Sequence, residues 1–221
     1  MRLRTTLLPG LLAGALPLAG FAQTGAPAAF KPQLFVGLGA AVGSPQSPTA
    51  FAENILAPAL TAGVQLRPRL AVQASAQYFQ RKDSYFQPGL FYFNGGLHEG
   101  ISSSTDQQRI VAVPVLVRYA LTRRPEQRLQ VDVLGGFTLA RSTYRSKSTT
   151  VDSLQNVVYN SDNNYVNNNF YLDLGAGLRY RLGNHLALTG DLVFNFLVNQ
   201  HPYNSTSSTA ALGLRYRFGG S

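Results

Sequence analysis

Arg67, Arg118, Arg179 and Arg215, with Asp132, Asp173 and Asp191, are the residues whose types and spacing carry the most chemistry in this 221-residue sequence. They sit among apolar neighbours, as in Val117-Arg118-Tyr119, Val131-Asp132-Val133, Leu172-Asp173-Leu174 and Leu214-Arg215-Tyr216. Successive side chains of a strand point to opposite faces, so these charges share one face and the apolar neighbours take the other. A charge removed from water has to be paired. On an enclosed face the set forms a salt-bridged plug or, with arginines in excess, lines a narrow anion-preferring pore.

Nucleophilic chemistry is the other candidate. His98 and His201 lie near serines at 102–104 and 205–208, and either pairing could support a lipid-modifying activity; His185 stands apart. No nucleophile elbow or fixed acid spacing accompanies them, so the sequence is read as non-enzymatic. The absence of cysteine excludes disulfides, thiolate metal sites and cysteine nucleophiles. Asp162 alone in the Asn-rich stretch 159–171 is too little carboxylate for calcium. No cofactor or metal is expected. Asn204-Ser205-Thr206 matches a glycosylation sequon by chance. A pI near 10.1 does not by itself call for nucleic acid, since basic groups can also sit beside lipid phosphates. Nothing resembles a basic and aromatic platform for nucleic acid.

The elements that would position these residues follow from period-two alternation. It recurs at 33–42, 59–67, 69–79, 109–120, 128–140, 169–182, 185–198 and 209–218, predicting eight strands. Most are near the roughly 9–11 residues that a tilted strand needs to cross a bilayer. The gaps after the second, fourth and sixth strands are short; those after the others, 43–58, 80–108, 141–168 and 199–208, are long. Short periplasmic turns, long extracellular loops and an even strand number describe an up-and-down outer-membrane barrel. Leu178, Tyr180, Leu182, Leu214, Tyr216 and Phe218 then face lipid, and the charges face the lumen. Tyr119, Tyr180, Tyr216 and Phe218 form the lower aromatic girdle.

Residues 1–22 read as a signal peptide: Arg2 and Arg4, an apolar run to Leu18, then Gly20 and Ala22 before the cut. Its loss takes the net charge from +9 to +7. A periplasmic leader spans 23–32, the barrel 33–218 and a tail 219–221. In the second long loop, Tyr85, Phe86, Phe91, Tyr92 and Phe93 offer a contact surface, or else an upper girdle or strand extension.

"RIVAVPVLVRYAL", "LQVDVLGGFTLA" and the repeated "GLRYRL" and "GLRYRF" together resemble the PorT-like outer-membrane β-barrel family of Gram-negative bacteria over residues 33–218. Pro114 fits that family's apolar–Pro–apolar–basic–Tyr strand, although a proline inside a closed barrel belongs at a bulge. Gly213, Tyr216 and Phe218 resemble the C-terminal signal read by the barrel-assembly machinery, with Gly219-Gly220-Ser221 trailing it. The resemblance is specific for the fold and the outer membrane and says little of function. The chain is expected to be a monomer in contact with lipid and lipopolysaccharide, serving envelope structure or surface contact through its four long loops. No particular extracellular ligand is implied.

Overall fold

Alternation with Val, Leu, Tyr and Phe on one face suits a pleated strand with one apolar environment. The computed structural model has eight strands: β1 (Gln33–Val42), β2 (Leu56–Arg67), β3 (Leu70–Phe93), β4 (Gly96–Ala120), β5 (Leu129–Asp152), β6 (Val157–Arg181), β7 (Leu186–Leu197) and β8 (Thr206–Arg217). It describes residues 30–43, 56–93, 95–124, 127–152, 157–198 and 206–219. The signal peptide, most of the leader, His201, Asn204, Ser205 and the last two residues lie outside these.

Each strand pairs antiparallel with its sequence neighbours, and β8 returns to β1, closing the barrel. At that seam Leu38 is opposite Leu214 and Val36 opposite Tyr216. The Phe218 amide, just past β8, donates to the Leu34 carbonyl at 2.8 Å. The faces are inverted relative to a soluble barrel. Leu34, Leu38, Leu60, Leu139, Leu172, Leu174, Leu178 and Leu212 are exposed, while Gln65, Gln73, Arg118, Asp132, Asp173 and Arg215 are buried. On β5 the outward apolar run goes from Leu129 to Leu139. Ten steps of roughly 3.4 Å, inclined about 40°, rise about 25 Å, the height of an outer-membrane apolar band.

Two expected loops are strands instead. Residues 80–93 continue β3 and 96–108 continue β4, with Phe93 opposite Gly96. Residues 141–152 and 157–168 likewise extend β5 and β6, with Tyr144 opposite Tyr165. Pairing of β2 with β3 stops at Ala59 and Gln77, and that of β6 with β7 at Tyr171 and Leu197. Beyond these points β3 to β6 continue as a four-stranded wall.

Between Phe93 and Gly96, which pair across the tip of the first hairpin, Gly95 has φ of 81° and follows Asn94 in the sequence. Asn-Gly is the strongest short-range hairpin signal because a two-residue turn needs positive φ.

Pro114 causes no bulge. The β3–β4 pairs run from Ala74 and Val115 to Gln77 and Ala112 without a change of register, skipping two positions. The missing N–H interrupts the ladder locally, and the pairing of Pro114 with Thr138 on β5 is kept.

Candidate functional site

The β-ladder brings the inward charges of four strands to one level. Asp132 on β5 is opposite Gly177 on β6, and Gly177 is opposite Asp191 on β7. Arg118 reaches across this rung from β4. Its Nη1 donates to Asp132 Oδ2 at 2.7 Å, and its Nη2 donates to Asp191 Oδ1 and Oδ2 at 2.7 and 2.5 Å. Gly177 makes the crossing feasible: a Cβ there would stand 2.7 Å from Asp191 Oδ1 and 2.8 Å from Arg118 Nη1. Arg118 is 1 % exposed and Asp132 0 %. Such a pair tolerates burial only when its remaining polar atoms are also engaged.

Arg179 supplies part of that. Its Nη2 donates to Asp132 Oδ1 at 3.3 Å and its Nη1 to Gln65 Oε1 at 3.4 Å. Arg215 is held differently. It donates to Gln73 Oε1 at 2.6 Å, and its guanidinium lies 3.9 Å from the centroid of the Phe35 ring. That ring occupies the space a side chain at position 63 would need, since a Cβ on Gly63 would be 2.3 Å from Phe35 Cζ. Arg118 and Arg179 thus meet two aspartates, while a glutamine oxygen and a ring face support the third arginine, Arg215.

Two expected members are placed elsewhere. Arg67 is exposed at the end of β2, where the register shifts between Gln65 and Arg67. One extra residue moves every later side chain to the other face. Gln65 occupies the inward position instead, and its Nε2 donates to the Arg67 carbonyl at 2.6 Å. Asp173 lies inside but meets no arginine. It accepts from Thr138 Oγ1 at 2.5 Å and from Asn195 Nδ2 at 2.7 Å. It sits four residues along β6 from Gly177, roughly 13 Å away, so it belongs to a higher layer. Gln65, Gln73, Phe35 and Gly177 were not singled out in the sequence, although Gly177 opens the repeated "GLRYRL".

A second closure lies at the extracellular end of the barrel. Phe79, Ile110 and Tyr171 point inward and are buried among Ala41, Ala57, Ala112 and Ala140, with Leu197 and Ala211 against them. Between this apolar layer and the charged one is a cavity of about 60 Å³, lined by Gln73, Ser75, Thr138, Asn195 and Thr209 and ending at Asp191 and Arg215. A smaller one of about 30 Å³, beside Arg179, His185 and Arg217, opens at the periplasmic end.

The five aromatic candidates do not form one cluster, because β3 alternates through them. Tyr85 faces inward with Arg81, Asp83, Asp106, Gln108 and Tyr144 around an open hollow of about 230 Å³. Phe86 and Tyr92 are on the other face and 76 % and 75 % exposed. Phe91 is opposite His98, and Phe93 is opposite Gly96. Burial, ahead of a hydrogen bond with Asp106, raises the Tyr144 phenol above its ordinary range.

His98 and Ser102 are four positions apart on β4, roughly 13 Å along the strand. His185 Nδ1 is 3.1 Å from the Arg217 carbonyl, and its ring stacks on Tyr216. Tyr216 meets Phe218 edge-on at 5.1 Å, both on the outer face, whereas Gly213 lines the inner cavity. Arg69 lies over the Tyr119 ring at 4.9 Å and donates to the Ala120 carbonyl, tying the lower girdle to the turn.

A family model for the outer membrane protein beta-barrel domain matches residues 13–218. The chain belongs to that family. It is an integral protein of the outer membrane. A major outer membrane protein from Thermus thermophilus shares the fold at 15 % identity and a TM-score of 0.56, covering 86 % of this chain and 100 % of that one. OprG from Pseudomonas aeruginosa matches at 10 % identity and a TM-score of 0.47, with 85 % and 96 % covered. Ail from Yersinia pestis matches at 11 % and 0.46, with 85 % and 97 % covered. No curated protein matches the sequence. Family membership accounts for the inverted faces.

Proposed function

We propose that this outer-membrane barrel is closed to solutes, is not an enzyme, and serves envelope structure or surface contact through its extracellular wall. The observation that carries the reading is the double closure of the lumen. The Arg118–Asp132–Asp191 pairs block it at one level, and Phe79, Ile110 and Tyr171 fill it at another. An eight-stranded barrel is just wide enough for its own side chains. An ion would have to break buried ion pairs and then cross an apolar layer without water to solvate it.

The narrow anion-preferring pore rests on the excess arginine beside two small cavities. Planar-bilayer recording separates the two readings. The closed barrel gives no steady current, and a stable anion-selective current from the wild-type protein reverses the assignment.

Our reading further takes the chain as a monomer of the PorT-like group, inserted by the barrel-assembly machinery. The outward Tyr216 and Phe218 and the Phe218 amide bond across the closing seam support this. Phe218→Ala should slow insertion into vesicles containing that machinery more than into pure lipid. Equal rates in the two would remove Phe218 from the signal.

A further inference from the structure

The outer surface of the wall changes character just above the apolar band. Going up from lipid, the first charged outward residue is Lys82 on β3, Arg109 on β4 and Arg141 on β5, following Tyr78, Val111 and Leu139. Register places these side by side: Tyr78, Val111, Arg141 and Asn168 share one rung, and Lys82, Gln107, Arg145 and Asn164 another two residues higher than the rung of Arg109. Lys147 follows on β5, opposite Asp162.

In this outward band the described residues hold five cations against one carboxylate, Asp162. That carboxylate is already taken by Arg145, at 3.0 and 2.6 Å, with Lys147 at 3.8 Å. Lys82, Arg109 and Arg141 have no ion pair among the described residues, and Gln107 can accept from Arg109 at 3.0 Å.

The inner face at the same height is different: its alternate rungs carry Arg81 with Asp83 and Asp106. The outward tops of β7 and β8, at Phe196, Val198, Ala210 and Leu212, bear no cation. Among the described residues of the extracellular half, the outward positive charge is therefore confined to β3, β4 and β5 and to the rungs just above the apolar band. With short turns periplasmic and hairpins outside, that height is the headgroup level of the outer leaflet.

We propose that Lys82, Arg109, Arg141, Arg145 and Lys147 form a docking surface for the lipid A phosphates of lipopolysaccharide. Adjacent strands are about 4.8 Å apart and residues about 3.4 Å, so the cations spread over roughly 10 Å by 20 Å, room for more than one phosphate. Guanidinium groups hold phosphate oxygens through paired N–H bonds, and lysine adds a point charge. A leaflet whose phosphates lie beside the acyl boundary brings that partner to these side chains without any loop closing. The proposal depends on the orientation of the barrel and not on whether its lumen conducts, so a conductance result leaves it standing.

The test uses the full chain refolded into phosphatidylcholine vesicles doped with bisphosphorylated lipid A, captured by affinity and assayed for retained lipid A. The wild-type protein should retain it well above its bulk fraction, and K82Q/R109Q/R141Q should lower the enrichment at least fivefold. Dephosphorylated lipid A should show no enrichment, and high salt should weaken retention. Heat-modifiable migration verifies folding. Should the triple variant not fold, Arg141→Gln alone is expected to lower enrichment twofold or more. The periplasmic rim control Arg123→Gln/Arg124→Gln should behave as wild type. The proposal is overturned if the folded variant retains lipid A normally, if the rim control loses it equally, or if dephosphorylated lipid A is retained as well. It is likewise overturned if a soluble sulfated polysaccharide binds these residues while lipid A shows no enrichment.

Discussion

The lower and upper halves of β3 to β6 use the same strands and the same ladder, yet only the lower half separates apolar from polar. Around β5, Leu129, Val131 and Val133 face out while Gln130, Asp132 and Leu134 face in. Higher on that strand, Arg141, Arg145 and Lys147 face out and Ser142, Tyr144 and Ser146 face in, polar on both sides. Alternation of hydropathy therefore reports a difference between two solvents and not the strand itself. Where lipid lies on one side the pattern is strong. Where both sides are polar, headgroups or water outside and water inside, the strand persists through backbone pairing and leaves little trace in hydropathy.

Four substitutions and one condition break or sharpen this contrast. The largest effect should come from the barrel interior. Arg118→Leu leaves Asp132 and Asp191 buried without their principal partner, and removing one member of a buried pair costs about 3–5 kcal/mol. Denaturant titration in lipid vesicles measures it, and a wild-type midpoint would show that the charged layer is solvated. Next is the outer face. Leu214→Arg puts a charge toward lipid and costs about 2–4 kcal/mol near the midplane. Phe86→Arg, outward on the wall, should stay within about 0.5 kcal/mol, as exposed substitutions do. Equal losses for both would mean that the wall is also in lipid.

A smaller loss is expected from Asp173→Ala. It removes the acceptor of Thr138 and Asn195 and leaves those two donors unsatisfied, a cost of about 1–3 kcal/mol. No arginine is stranded by it. If combining it with Arg118→Leu rescued stability, the two layers would be coupled, contrary to their separation along β6.

The smallest effect concerns the wall and pH. The hydrogen bond from Arg145 holds the Asp162 carboxyl below its usual range. A depressed acid contributes stability that is fully present above the unfolded value, near 3.9, and fades as pH falls through the lower folded one. Amide protection at Arg145 and Asp162 and their neighbours on β5 and β6, corrected for the intrinsic exchange rate, should therefore fall only below about pH 4, with the barrel strands unchanged. An onset near neutral pH would assign the change to another group. Both side chains are exposed, so the pair adds little to global stability.

Within the barrel, the sequence made the faces legible residue by residue. Leu34, Leu38, Leu60, Tyr119, Leu178, Tyr180 and Leu214 are all exposed as alternation requires, and Arg118, Asp132, Asp173, Arg179 and Arg215 are all buried. Arg67 failed because a register shift at a turn is invisible to strict alternation. The wall failed for two reasons. Its water-facing surfaces blur the period, and the Asn-rich run at 160–169 is poor in strand formers, although it pairs with β5 throughout. Asn94-Gly95 was the one local signal that would have found the first hairpin.

The apolar closure escaped notice because Phe79, Ile110 and Tyr171 sit at inward positions where polar residues were expected.

By itself the sequence determined strand number, direction and the face of most side chains, because parity is a property of consecutive residues and needs no partner. Which inward residues meet was decided only by closure. Arg118 and Asp191 come from β4 and β7, 73 residues apart, and Arg215 and Gln73 from β8 and β3, 142 apart. These meetings depend on the stagger of all eight strands around the ring and on the absence of a side chain at Gly177. No short segment contains that information, since stagger exists only once the last strand has paired with the first.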